Sequence, residues 1–156
     1  MPVPTWIEDL RRQEIIERLR RDPRTRPLID DTNCMFNEVI EGGQANFDDP
    51  WRNLLGEDRA RCYAYLNQKA HIEELTAAFE MLFAEGTAIE NPIVLDLGCG
   101  PCTAGIALAG ILGADAAFTY IGVDRSLSMM SLGESIVCAA NKAGQMTRVS
   151  RQWHNS

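Results

Sequence analysis

The residues with the clearest capacity for chemistry lie in one stretch, IVLDLGCGPCTAGIALAG. Cys99 and Cys102 are separated by Gly-Pro, which is the spacing of a redox-active dithiol. The same stretch holds Asp96, Gly98 and Gly100 directly after an apolar run, a pattern typical of a loop that brings its backbone close to a nucleoside cofactor. The two interpretations require different surroundings, so the rest of the chain has to discriminate between them.

Dithiol chemistry is the first alternative. It would place Cys102 at a helix N-terminus, where the helix dipole lowers the pKa of a thiol. Thioredoxins, which carry Cys-Gly-Pro-Cys, also have a tryptophan directly before this motif and a cis-proline well downstream of it. In this chain Gly98 precedes the motif and no proline follows Pro101. A thioredoxin-like oxidoreductase is therefore the less favoured interpretation.

A dinucleotide site is the second alternative. Its fingerprint, Gly-x-Gly-x-x-Gly, requires glycine at position 103, where this chain has Thr103. A dinucleotide also brings an anionic pyrophosphate to the helix N-terminus, close to the carboxylate of Asp96. S-adenosylmethionine (SAM) brings a sulfonium and an ammonium instead, and both are attracted to a carboxylate. The charge of Asp96 therefore favours SAM over NAD.

A second acidic residue supports a nucleoside cofactor. Asp124 ends the apolar sequence YIGVD and lies 24 residues after Gly100. A carboxylate at the end of a second strand can accept hydrogen bonds from both ribose hydroxyls. The spacing suits SAM and a dinucleotide equally well, so it predicts a cofactor site without choosing the ligand.

The sequence VLDLGCGPCTAGIAL, followed by YIGVDRSLSMM, resembles the class I SAM-dependent methyltransferases over about residues 93–140. The resemblance includes an Asp-x-Ser-x-x-Met pattern that begins at Asp124. It implies that the loop backbone approaches SAM, that Asp96 faces the methionine end and that Asp124 holds the ribose. It also implies an adenine site near the two residues after Asp124. The cofactor-binding residues expected from it are Asp96, Gly98, Cys99, Gly100, Asp124, Arg125 and Ser126.

The loop departs from this family at one position. The family usually has glycine at the third loop position, where this chain has Cys102. We expect its Cβ to crowd the methionine moiety or to disfavour a positive φ. Tyr63 lies before the first strand, in a segment that covers the cofactor in many methyltransferases. Its spacing also fits core packing on a long helix, so both roles stay open.

Residues 1–90 are predicted to form a helical N-terminal region. Thr5 and Glu8 have the spacing of a capping box, and the first helix is expected to end at Asp22-Pro23. A second helix is predicted over about 28–41 and a third over about 58–85, because glycines follow both segments.

Residues 91–156 have a different sequence pattern, which predicts a strand, a glycine loop and a helix in succession. IVLDL reads as a strand that is buried on both faces of a parallel sheet, a small-residue helix is predicted over 103–112, and a second strand and helix follow. A third strand is expected around 146–151. The predicted fold class is α/β: a partial doubly wound, Rossmann-like parallel sheet, similar to class I methyltransferases, preceded by an α-helical region.

Composition limits the partners. The net charge of −7 argues against a general nucleic-acid or membrane-surface binder, so a small molecule or a protein is the favoured methyl acceptor. We expect a cytoplasmic protein, because no apolar run of membrane-spanning length and no signal peptide is apparent. Five cysteines without framework spacing fit a reducing compartment.

No metal site is expected, since the single Cys-x-x-Cys has no second pair.

The acceptor side of a methyltransferase is not recognisable. The chain ends near a third strand, and no Asn/Asp-Pro-Pro-Tyr/Phe motif is present, so we name no catalytic residue. We expect a truncated or N-terminal portion of a methyltransferase; a non-catalytic, methyltransferase-like regulatory module is the alternative. An unpaired edge on IVLDL is expected to make the chain a homo-oligomer or to recruit a partner chain.

Overall fold

The protein is an α/β structure in which helices precede a three-stranded parallel sheet. The computed structural model describes residues 2–86 and 89–156. In the N-terminal part the helices are α1 (Thr5–Arg11), α2 (Glu17–Arg21), α3 (Arg26–Ile29), α4 (Thr32–Cys34), α5 (Gly56–Tyr63) and α6 (Lys69–Ala84). The rest of the chain forms β1 (Ile93–Leu97), α7 (Thr103–Leu112), β2 (Phe118–Asp124), α8 (Leu127–Lys142) and β3 (Val149–Asn155).

Several of these helices are joined by wider turns. A π-helical turn (Arg12–Ile16) connects α1 to α2, so that the first predicted helix is continuous to Arg21. Another (Ala64–Gln68) connects α5 to α6 and makes the predicted third helix continuous over 56–84. Apolar side chains at helical spacing on the first helix, Ile7, Leu10, Ile15 and Leu19, are buried in the core.

The predicted capping box at the start of the first helix is wrong. Thr5 is already the first helical residue, Pro4 occupies the N-cap position, and no side chain caps this end. Pro4 is extended, with φ −58° and ψ 143°. Proline fits there because its fixed φ suits a helix start and its nitrogen has no hydrogen to satisfy.

The predicted second helix over 28–41 is also wrong, because the chain breaks between α3 and α4. Asp31 is non-helical, with φ −132° and ψ 71°, and its Oδ1 accepts the N–H of Cys34. An aspartate that caps a new helix competes with continuation of the old one. The second segment is therefore α4 followed by a π-helical turn, Met35–Val39.

The sheet has the strand order β1-β2-β3, and both pairings are parallel. The predicted bounds of the first strand, 93–97, and of the first crossover helix, 103–112, are confirmed. The third strand was predicted too early, because Met146 has a φ of 55° and still belongs to the turn after α8. The strand begins at Val149, opposite Phe118.

Among the described residues, helices cover one face of the sheet and leave the other open. Each crossover steps to the next strand in the same direction, so right-handed connections put α7 and α8 on the same side. Tyr120 packs against α7 at Gly105, and Trp153 packs against α8 at Gly133. The expectation that β1 is buried on both faces is wrong: Ile93 is 73% exposed on the other side.

Asp48 bonds the N-terminal region to the start of α8. Asp48 Oδ1 accepts the hydroxyl of Ser126 at 2.9 Å and the N–H of Ser128 at 2.8 Å, and Oδ2 accepts the N–H of Leu127 at 3.1 Å. A carboxylate suits this position because the helix N-terminus carries unpaired N–H groups and positive potential. The loop around Asp48 is thereby held beside the carboxyl end of the sheet.

No helix in the described part of the chain combines the length and the apolar composition that a membrane crossing requires.

Candidate cofactor site

The glycine loop leaves β1 at the carboxyl end of the sheet. Gly98 and Gly100 have positive φ angles of 74° and 52°, and a Cβ added to either would meet no atom within 4 Å. The N–H groups of Gly98 and Cys99 both donate to the carbonyl of Val123, at 2.8 and 3.0 Å. The loop is therefore tied down on the β2 side, and its two glycines present bare backbone to open space.

Asp124, at the end of β2, is bonded to this loop. Its Oδ2 accepts the N–H of Gly100 at 2.8 Å, and its Oδ1 accepts the N–H of Ser126 at 2.8 Å. Each carboxylate oxygen has a second lone pair, so these two bonds leave acceptor capacity. The side chain thus orders the loop and still presents a charge to the space beside it.

A first cavity of about 170 Å³ opens between the glycine loop and the N-terminal region. Tyr63 forms one wall and packs edge-on against Phe47, with ring centroids 5.5 Å apart. Tyr63 therefore packs against a core residue and also lines the cavity, and its role beside a cofactor stays a prediction. The lining residues are Gly43, Ala45, Asn46, Phe47, Tyr63, Gly98, Gly100, Asp124, Arg125, Ser126 and Met129.

A second cavity of about 220 Å³ adjoins the first and shares Tyr63, Gly98 and Gly100 with it. Helix α6 contributes two polar side chains to its wall, His71 and Glu74. The complete lining is Tyr63, His71, Glu74, Leu75, Asp96, Gly98, Cys99, Gly100, Pro101, Thr103 and Ala104. The loop therefore separates a cavity over the end of β2 from a cavity over the end of β1.

Asp96 is half-buried beneath the second cavity and accepts a hydrogen bond of 2.6 Å from the hydroxyl of Tyr120. Burial raises the pKa of the Asp96 carboxyl above its usual value; the negative charge of Asp124 adds to this, and the bond from Tyr120 opposes it. A cation placed next to Asp96 would relieve the cost of burying its charge. The site therefore favours a positively charged ligand group here.

The N-terminus of α7 faces the same cavity. Cys102 is its N-cap residue, and no side chain caps it. Thr103, only 9% exposed, lines the cavity, and the structure gives its hydroxyl no hydrogen-bond partner among the described residues. Free helix N–H groups beside a hydroxyl suit an anionic group such as a carboxylate.

The expectation that Cys102 disfavours a positive φ is wrong. Cys102 adopts φ 64° and ψ 32°, in the left-handed region. Its side chain is 1% exposed, and its sulfur lies against Gly105 rather than in either cavity. The lack of a Cβ at Gly105 makes room for the thiol inside the core, so Cys102 takes no space from a ligand.

The two loop cysteines do not have the environment of a redox dithiol. Burial raises the pKa of Cys99 to about 12, and the negative charges of Asp124 and Asp96 act in the same direction. Burial also raises the pKa of Cys102. A catalytic dithiol needs an accessible thiolate of lowered pKa, so this geometry weighs against the oxidoreductase alternative.

We expect that alkylation of the native protein near neutral pH leaves Cys99 and Cys102 unmodified while the exposed Cys138 reacts. The reason is that buried thiols of raised pKa supply almost no thiolate. Mass spectrometry after a short iodoacetamide pulse measures this, with denatured protein as the fully labelled control. Rapid labelling of Cys99, or turnover in an insulin-reduction assay, would contradict the expectation and restore the dithiol interpretation.

The remaining predicted site residues lie at the same loop cluster. Arg125 lines the first cavity. Ser126 also borders it, but its hydroxyl is occupied, since it donates to Asp48 and accepts the N–H of Met129. Cys99 borders the second cavity with its largely buried side chain. The structure therefore brings all seven predicted residues to the two cavities.

The walls contributed by the N-terminal region were missed, apart from Tyr63. Asn46 and Phe47 come from the loop before α5, and His71 and Glu74 come from α6. The sequence signal for His71 was weak, since a single histidine on a polar helix face usually lies in solvent. No protein-family model matches the chain, and no curated protein matches it. Within residues 2–86 and 89–156, no group of three His, Cys, Asp or Glu side chains is arranged to hold a metal ion.

Proposed function

We propose that this chain is a class I SAM-dependent methyltransferase, or the cofactor-binding portion of one. The observation that carries the proposal is the glycine loop. Two of its glycines have positive φ and open Cβ positions, and they lie between two cavities that each contain a strand-end carboxylate. Side chains at these positions would fill the space that a ligand needs.

The two cavities fit the two ends of SAM. Each is smaller than the usual ligand site of about 300–1,000 Å³, but the two together fall within that range. In our proposal the nucleoside lies in the first cavity, where Asp124 accepts its ribose hydroxyls and Tyr63 and Phe47 provide an aromatic wall. The methionine end lies in the second cavity.

The second cavity carries charges that suit an α-amino acid group. We propose that Asp96 and Glu74 face the ammonium, and that the uncapped end of α7, together with the Thr103 hydroxyl, faces the carboxylate. NAD fits less well, because its pyrophosphate would lie beside Asp96 and Asp124. The charge pattern therefore supports SAM over a dinucleotide, in agreement with the expectation from the sequence.

The reaction that we propose is methyl transfer to a small molecule or a protein. SAM supplies an electrophilic methyl group on its sulfonium. The residues of this chain bind and orient the cofactor, because an in-line displacement depends mainly on how the two reacting groups are held. We assign no catalytic base.

Isothermal titration calorimetry tests the proposal with three ligands. SAM and S-adenosylhomocysteine are expected to bind and NAD is not, because only the first two place a cationic ammonium near Asp96. No heat with either adenosyl ligand, or NAD binding as tightly as SAM, would overturn the proposal. If SAM binds but no methyl group is transferred to candidate acceptors, the proposed cofactor stands and the non-catalytic module becomes the favoured function.

A further inference from the structure

The carboxylate of Asp96 is held by a single hydroxyl. Among the described residues, Tyr120 is the only donor bonded to its side chain, and the Tyr120 oxygen lies 2.6 Å from Asp96 Oδ2. That distance is typical of a charge-assisted O–H···O⁻ bond. None of the described residues that line the second cavity is an arginine or a lysine. The half-buried carboxylate therefore relies on a neutral donor to offset the loss of hydration when it is charged.

The other ionisable groups around Asp96 do not stabilise its charge near neutral pH. They come from the end of β2, the glycine loop and α6, and they are Asp124, Cys99, Cys102, His71 and Glu74. The carboxylates of Asp124 and Glu74 add negative charge to the same surroundings. Both thiols are uncharged, because burial raises their pKa values. Histidine is largely neutral at this pH, so the Tyr120 bond is the interaction that favours the ionised form of Asp96.

The donor is fixed by the packing around it. Tyr120 is fully buried, with 0% of its surface exposed. Its ring lies against Gly105 of α7, where an added Cβ would be 3.1 Å from two ring carbons. The ring also packs edge-on against Trp153, with centroids 5.6 Å apart, and the Trp153 indole N–H donates to Glu134 at 2.8 Å. Burial raises the pKa of the Tyr120 hydroxyl, so it stays protonated and remains a donor at neutral pH.

We infer that Tyr120 is a positioning residue of the proposed cofactor site: its hydroxyl holds the Asp96 carboxylate in its ionised form, so that the second cavity presents a negative charge to the ammonium of the ligand. The identity of the ligand rests on the proposed function, whereas the charge on Asp96 rests on the hydrogen bond. No described residue bonds to Asp96 Oδ1, which leaves that oxygen as an acceptor. A protonated, neutral carboxyl would attract an ammonium far less.

The first experiment measures the charge on Asp96 and needs no ligand. Carbon NMR follows the side-chain carboxyl in steps downward from about pH 8, and Asp96→Asn assigns its signal. In Tyr120→Phe the titration should move to higher pH. The reason is that the bond that lowers the pKa of this carboxyl is gone, while burial and the charge of Asp124 still raise it. Tyr65→Phe is the matched control and should titrate like wild type, because Tyr65 lines neither cavity.

The second experiment measures what this charge contributes to binding. Titration calorimetry gives the Kd of S-adenosylhomocysteine for wild type and Tyr120→Phe at about pH 8 and about pH 5.5. The variant should bind more weakly, and the difference should grow on acidification to about 10-fold in Kd. The reason is that Asp96 takes up a proton at a higher pH in the variant. Protonation of His71 affects both proteins alike, so the difference between them reports on Asp96.

Tyr120→Phe keeps the ring that packs against Trp153, so circular dichroism should show an unchanged fold. If the variant does not fold, the Cζ signal of Tyr120 in the wild type replaces it. That signal should change with the same midpoint as the Asp96 carboxyl, because protonation of Asp96 alters the bond that joins them.

An unchanged Asp96 titration in Tyr120→Phe, or a Tyr120 signal that does not follow Asp96, would overturn the inference. So would affinities that differ equally, or not at all, at the two pH values, since that would leave Tyr120 only a packing role. Failure of the wild type to bind S-adenosylhomocysteine would overturn the proposed function instead. The ligand-free NMR experiment would then still decide whether Tyr120 holds the charge on Asp96.

Discussion

Asp124→Ala is expected to weaken binding of S-adenosylhomocysteine by about 1.5–3 kcal/mol, or roughly 10- to 150-fold in Kd, the loss typical of hydrogen bonds to a charged group. The substitution removes the carboxylate that faces the first cavity and also the acceptor for the Gly100 N–H. Titration calorimetry of the variant measures the effect. Unchanged affinity would exclude Asp124 from the cofactor site.

A ligand lacking the ribose 2′-hydroxyl separates contact with the cofactor from ordering of the loop. The wild type should bind the 2′-deoxy analogue of S-adenosylhomocysteine more weakly than the parent compound, and Asp124→Ala should bind both alike. Asp115→Ala is the matched control, since it removes the same charge at a distance from both cavities. If the variant still prefers the parent ligand, Asp124 acts by holding the loop and not by binding the ribose.

Gly56→Ala is expected to lower the free energy of unfolding by about 2–3 kcal/mol, or the Tm by roughly 5–10 °C. A Cβ at Gly56 would overlap the carbonyl oxygen of Phe47 and the Ser128 hydroxyl. The carbonyl is backbone and cannot rotate away, so the loop would have to shift. Thermal unfolding followed by circular dichroism measures the loss.

The same substitution should also weaken the binding of S-adenosylhomocysteine. The reason is that the shifted loop carries Phe47, which lines the first cavity, and Asp48, which bonds to the N-terminus of α8. Gly110→Ala is the control. Its added Cβ would meet mainly the flexible end of Ile7, at 2.9 Å, and Ala improves helix propensity. We expect that control to stay within about 1 kcal/mol of wild type. A wild-type Tm for Gly56→Ala would mean that the loop does not pack on α5 as described.

The glycine loop and its flanking elements were predictable because their signals are local. The apolar run Ile93–Leu97 is bounded by Pro92 and Gly98, and the small-residue helix Thr103–Leu112 follows at once. The meeting of Asp124 with Gly100 was also predictable. Carboxyl ends of neighbouring parallel strands lie at one edge of a sheet, whichever residues build the rest.

Helix boundaries in the N-terminal region were less predictable. A helix over 28–41 was expected because glycines follow it, but Asp31 ends one helix and caps the next through the N–H of Cys34. Both outcomes are compatible with the same local sequence, and packing decides between them. The early prediction of β3 has a similar origin, since the turn after Gly144 continues through a second left-handed residue, Met146, whose type does not favour a positive φ.

Burial of β1 was predicted wrongly for a topological reason. A continuous apolar strand indicates helices on both faces of a sheet. Coverage depends on the order of the strands, and the order β1-β2-β3 puts both crossover helices on one side. The pattern of IVLDL contains no information about that order.

The sequence by itself determined the chemistry of the loop: bare backbone at Gly98 and Gly100, with carboxylates at Asp96 and Asp124 after successive strands. Tertiary structure alone decided what encloses it. Tyr63 and Glu74 reach the loop because α6 packs against α7, and Gln68, just before α6, donates to the carbonyl of Pro101, 33 residues away in the chain. Hydrophobic periodicity in the sequence does not predict contacts over that separation. Such contacts depend on how whole helices pack against each other, whereas periodicity reports only the local secondary structure.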